Sequence, residues 1–182
     1  KALNLNPKFE DAYKNLSILQ LFRCNFKEGW KNFEWRVEKK YRYTNFELKE
    51  IFNDIKNKDK VLIIGEQGIG DEVFFSRFIS DLLMMKINPF FCLNSKLHKI
   101  VKNSFKSINL IRNPDFSKFK YVIPIGSVAK LFVTKKIDLF RKSNKYLTCD
   151  QHEIDNIRNQ IKTKKFLCGI SWRSGNLENG EN

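Results

Sequence analysis

At 182 residues, 42% hydrophobic and 14% aromatic, the chain carries enough apolar surface for one substantial domain with a small satellite, which excludes wholesale disorder. The formal charge of +14 comes from lysines spread along the whole chain rather than gathered in a stripe, which argues against a nucleic-acid partner and leaves a weak attraction to anionic partners, peripheral membrane contact included. No apolar run approaches the ~18 residues of a transmembrane segment, and Cys24, Cys92, Cys149 and Cys168 are too scattered for a zinc knuckle or a disulfide framework, which fits a reducing, cytoplasmic setting.

Residues 1–38 read as helical. Ala2-Leu3-x-Leu5-x-Pro7 resembles the tail of a tetratricopeptide (TPR) unit, and the next thirty residues fit another unit. Ala12, Tyr13, Leu16 and Leu19 lie on its first helix, Cys24-Asn25 makes the turn, and Phe26, Gly29 and Phe33 lie on its second. Such helix pairs bury only part of their apolar face and stack on neighbours. The alternative is an ordinary amphipathic hairpin packed on the next domain. In EGWKNFEWR, Trp30 and Phe33 share a face, and Trp30, Trp35 and Arg36 are expected to cement the hairpin to the next domain. Residues 39–59 read as a charged connector with a short helix near 46–56.

From Lys60 the pattern becomes alternating strands and helices. Val61-Leu62-Ile63-Ile64 is a β-branched run expected of a strand buried on both faces, 60–64, with a helix over 71–85 behind it. Strands are expected at Pro89–Leu93, Ile108–Ile111 and Tyr121–Ile125, with a helix over 95–105 and a short one from Gly126-Ser127 to Phe132. Such β-turn-α repeats predict a Rossmann-like parallel sheet over 60–150. Residues 133–150 read as loop. Gln151–Lys162 reads as a charged helix with Ile154, Ile157 and Ile161 on one side, and Phe166–Trp172 (FLCGISW) as a further buried strand. With Lys1 in place of Met and GNLENGEN at the end, the chain reads as a fragment in which 151–182 begin a second, truncated α/β domain.

The chemistry is expected in the loop after the first strand, G-E-Q-G-I-G-D, residues 65–71. A P-loop would end in G-K-[ST], whereas Gly70 is followed by Asp71-Glu72, two carboxylates where a phosphate would lie. A dinucleotide fingerprint would read G-x-G-x-x-G, and the spacing here is G-x-x-G-x-G. Two readings stay open. Asp71 is a plain helix N-cap, or it is a general base at a cleft close to a substrate hydroxyl. Glu66 and Glu72 flank it as loop carboxylates expected to be solvated, and Arg77 is expected on the surface. His98 and His152 have no ligand-like neighbours in sequence, and no metal site is expected.

Gly70-Asp71, straight after a strand and heading a helix, resembles the glycine–aspartate motif of bacterial heptosyltransferases of lipopolysaccharide synthesis. EQGIGDEVFFSRF, preceded by repeat-like helices ending in EGWKNFEWR, is similar to TPR-linked relatives of that glycosyltransferase family, which share the two-domain GT-B fold. The resemblance implies an inverting, metal-independent transferase. Its nucleotide-sugar donor is a co-substrate rather than a cofactor, and its acceptor is a glycan, lipid-linked or protein hydroxyl. Asp71 would be the base. Gly68 and Gly70 would make room for the acceptor, with Glu66 and Gln67 beside it. Residues 60–150 would be the acceptor-side half. Arg173, Ser174, Gly175 and Asn176 would begin the donor-diphosphate contacts. Glu72 departs from the family, which has an apolar residue after the aspartate. A protein partner could dock on the repeats. The alternative is an inactive TPR-linked scaffold.

Overall fold

A computed structural model describes residues 2–41, 51–53, 55, 59–85, 87–135, 138, 145–161, 165–166 and 168–170. The chain divides into two compact units, Lys1–Cys149 and Asp150–Asn182.

The first unit opens with α1 (Ala2–Leu5), α2 (Glu10–Phe22) and α3 (Phe26–Phe33), and then a 3₁₀ turn over Glu34–Arg36. Cys24 takes a left-handed φ of 60° between α2 and α3, so the turn falls where Cys24-Asn25 was expected. Tyr13 stacks on Trp35 with ring centroids 4.3 Å apart, closing the hairpin on itself. Phe26 and Trp30 are buried in one hydrophobic core with residues of the sheet, and Trp30 Nε1 donates to the Val133 carbonyl at 2.7 Å. Leu5, Ile18, Leu19 and Phe22, by contrast, leave an apolar face exposed. In the connector, residues 51–53 are helical with Phe52 buried, and the rest of the helix expected near 46–56 lies largely outside the described residues.

The sheet has four parallel strands, β1 (Val61–Ile64), β2 (Phe90–Cys92), β3 (Asn109–Leu110) and β4 (Tyr121–Pro124), in the order β3-β2-β1-β4. This is an α/β architecture compatible with a Rossmann-like fold. Leu62 lies opposite Phe90 on one side and Val122 on the other, so β1 is central, and Val61, Leu62 and Ile63 are wholly buried.

The helix expected over 71–85 begins earlier and is broken. It consists of α4 (Ile69–Phe75), a 3₁₀ turn at Ser76–Phe78 and α5 (Ile79–Met84). Ser76 Oγ donates back to the Val73 carbonyl at 2.7 Å, a side-chain bond that competes with the helical ladder and bends it. Downstream lie α6 (His98–Ser104), entered by a 3₁₀ turn capped by Asn94, and α7 (Ile125–Phe132).

In the second unit α8 (Gln151–Ile161) has no buried residue, and Ile157 and Ile161 are exposed. The expected buried strand at 166–172 is corrected. Phe166 is 94% exposed and Ile170 76%, and residues 166 and 168–170 form no strand. An apolar run becomes a buried parallel strand only between neighbours that complete its hydrogen bonds, and no described strand pairs with this one.

Candidate functional site at the carboxyl edge of the sheet

Strand order reverses beside β1: β2 and β3 lie to one side of it and β4 to the other. In open α/β sheets the crevice outside the carboxyl ends at such a point is where ligands bind. Here the segments leaving those ends are Gly65–Gly68 after β1 and the start of α7 after β4.

The residues singled out in the loop after β1 lie at this edge with roles of their own. Asp71 is exposed, but it is not the N-cap expected of it. Gly68 holds that position, and Asp71 is the third residue of α4, its Oδ2 accepting the Gly68 N–H at 3.3 Å. Gly70 is exposed, and a Cβ built on it would meet nothing within 4 Å. The tight backbone of the loop falls on Gln67 instead, at a left-handed φ of 61°, while none of the described glycines has a positive φ.

Glu66 and Glu72 are not solvated. Glu72 is 7% exposed, and its Oε2 accepts the Asn94 N–H at 2.8 Å. It sits over Gly65, where an added Cβ would come within 2.5 Å of its carboxyl carbon, so only glycine admits this carboxylate. Burial pushes the Glu72 carboxyl above the ordinary range; the Asn94 N–H opposes that and the nearby Glu66 charge adds to it. A raised carboxyl pKa means that stability is lost as pH climbs from the unfolded value near 4.5 toward the folded one, since the unfolded chain releases its proton first. Glu72→Gln keeps an acceptor for Asn94 and is therefore expected to melt higher than the wild type at pH 7. The gap should close below about pH 4, where both states of the wild type are protonated.

Glu66 reaches across to the head of α7. The N-cap there is Pro124, which has no side-chain acceptor, and Glu66 Oε1 takes its place by accepting the Gly126 N–H at 2.8 Å. The same oxygen pairs with Arg36 Nη2, and the two side chains are 10% and 3% exposed. Arg36 Nη1 donates to the Phe33 carbonyl at 2.9 Å, Nη2 also reaches Ser127 Oγ at 3.2 Å, and the guanidinium lies 3.9 Å from the Phe33 ring centroid. Ser127 Oγ in turn donates to the buried Glu34 Oε2 at 3.1 Å. A Cβ at position 126 would come 2.6 Å from Arg36 Nη2 and 2.7 Å from Glu66 Oε1, so the cluster requires glycine there.

Sequence reasoning missed Glu34, Gly126 and Ser127 as part of this site and took Arg36 for packing alone. The one signal was a charged E-W-R at the end of an otherwise aromatic hairpin. Arg77 is half-buried, with its guanidinium 5.8 and 5.7 Å from the Phe74 and Phe78 rings. His98 Nε2 bonds to the Leu93 carbonyl at 3.0 Å, a structural role, and His152 Nδ1 bonds the Asn156 amide. All four cysteines are free, and burial raises the Cys92 thiol pKa. Among the described residues no three His, Cys, Asp or Glu side chains gather as a metal site, and no helix is long and apolar enough to cross a membrane. A cleft of about 630 Å³, with Leu83, Met84, Asn88, Ser104 and Lys106 among its walls, contains none of the residues singled out from the sequence. Arg173, Ser174, Gly175 and Asn176 lie outside the described residues.

Comparison of the chain with protein-family models, with curated proteins and with solved structures finds no match.

Proposed function

We propose that the chain is the acceptor-side part of an inverting GT-B glycosyltransferase, resembling the heptosyltransferases, with Asp71 as general base. Asp71 takes the proton from an acceptor hydroxyl as that oxygen attacks the anomeric carbon of a nucleotide sugar. The bond from that carbon to the nucleoside diphosphate breaks, and the diphosphate leaves with its electron pair. The observation that carries the reading is the placement of Asp71: an exposed carboxylate in the first turn of the helix after the central strand, on the edge where strand order reverses.

The electrostatics of that edge favour a neutral hydroxyl over a phosphate. Asp71 and Glu72 occupy the first turn of α4, and the Glu66 carboxylate already caps α7. A donor diphosphate would then bind elsewhere, and by resemblance Arg173, Ser174, Gly175 and Asn176 begin that site. The exposed apolar face of Leu5, Ile18, Leu19 and Phe22 supports the TPR reading of 1–38 as one member of a stacked array that docks a protein partner.

The test measures nucleoside diphosphate released by the full-length gene product from UDP-, GDP- and ADP-sugars in the presence of glycan extract from the producing cell. Asp71→Asn is expected to lower turnover by about 10²–10⁴-fold, as for loss of a general base, with an unchanged melting temperature. Unchanged turnover would remove Asp71 from the chemistry. A second reading, an inactive scaffold, is favoured by the way Arg36 and Glu66 fill the head of α7 with the chain's own side chains. It predicts no diphosphate release from the wild type at all.

A further inference from the structure

The loop between β1 and α4 is tied by backbone bonds at its two ends and by side-chain contacts of Glu66 and Asp71 between them. The Gly65 N–H donates to the Cys92 carbonyl at 2.7 Å, and the Glu72 N–H to the Gly68 carbonyl at 3.1 Å. Residues 67–71 are exposed, yet Gln67 holds a left-handed φ that a non-glycine residue avoids by roughly 1–2 kcal/mol. Such a conformation persists only where neighbouring groups impose it. The neighbour is Glu66, clamped between Arg36 and the Gly126 N–H.

We propose that Arg36 is a positioning residue for this loop. From the turn that ends the helical hairpin, it holds Glu66 against the head of α7, sets the left-handed turn at Gln67 and so fixes where α4 presents Asp71. The guanidinium suits the task because one planar group meets the Phe33 carbonyl, Glu66 and Ser127 at once while lying on the Phe33 ring. An ammonium at the end of a lysine meets one of these as a point charge. Arg36 Nε and Glu66 Oε2 are buried without a hydrogen bond, so the pair is held by a few strong contacts rather than by a saturated network. The hairpin is thereby a working part of the sheet's carboxyl edge. The consequence for turnover rests on Asp71 being the base; the consequence for the loop does not.

Amide hydrogen exchange and the intraresidue HN–Hα NOE of Gln67 test this on the 182-residue chain, in the wild type, Arg36→Lys and Arg36→Met/Glu66→Gln. The double variant removes both charges of the Arg36–Glu66 pair, so neither is left facing an empty partner position. The expected result is loss of the left-handed signature at Gln67 and about tenfold faster exchange at Gly65, Glu72 and Gly126, with the β2 amides at their wild-type rate, the pattern of a local opening. Should the double variant fail to fold, Arg36→Lys carries the same test, with a smaller shift at the same amides. An unchanged loop, or equal acceleration everywhere, overturns the proposal. In the full-length protein the same variants should lower kcat and leave the KM for the nucleotide sugar unchanged. If Asp71→Asn retains turnover while the loop responds as described, the base reading fails and the positioning role stands. If Asp71→Asn is inactive and the loop does not respond, the positioning role alone fails.

Discussion

Replacing Arg36 with alanine is expected to destabilise the Lys1–Cys149 unit by about 3–5 kcal/mol, because it strands the Glu66 carboxylate in a site that is 10% exposed. A buried pair adds little to stability as a pair; breaking one side is what costs. Changing Arg36 to methionine and Glu66 to glutamine together should therefore recover most of the loss, since neither charge then remains. Chemical denaturation of the wild type, the single and the double variant measures both quantities. A single variant within about 1 kcal/mol of wild type, in the range of exposed ion pairs, would show that Glu66 swings out to water.

Deleting residues 1–38 is expected to abolish the cooperative melt of what remains. Phe26 and Trp30 share the hydrophobic core with β1, α4 and α7, and each fully buried aromatic contributes about 1.5–3 kcal/mol. The deletion also orphans the Val133 carbonyl that Trp30 satisfies and removes Arg36 from Glu66. Set against a typical domain stability of about 5–15 kcal/mol, these losses leave little or nothing. Circular dichroism during heating checks it. A sigmoidal melt within a few degrees of the full chain would mark the hairpin as a separable repeat.

The alternation of strands and helices was legible because a parallel strand buried on both faces needs an unbroken apolar run, and Val61–Ile64 and Tyr121–Pro124 supply it. The loop after β1 was equally visible as the place where three glycines meet two carboxylates. Its conformation was not, since the strained residue is Gln67 and the glycines have ordinary backbones. Gly65 and Gly126 matter through the side chains that press on them, and these come from positions 72, 36 and 66. Of the FLCGISW run, the described residues 166 and 168–170 form no strand for the complementary reason: composition makes a segment competent for a sheet, and pairing makes it a strand.

By itself, then, the sequence determined the parallel α/β class, the strand over 61–64 and the glycine–carboxylate turn leading into the helix behind it, since periodicity and local turn chemistry act over a few residues. Which carboxylates are buried was decided only by the tertiary structure. Glu66, in a glycine loop, and Glu72, one helical step beyond Asp71, read like solvent-facing acids until Asn94, Gly126 and Arg36 arrive from 22, 60 and 30 residues away. Burying a carboxylate is tolerable only where donors converge on it, and convergence of distant donors is a property of the folded chain.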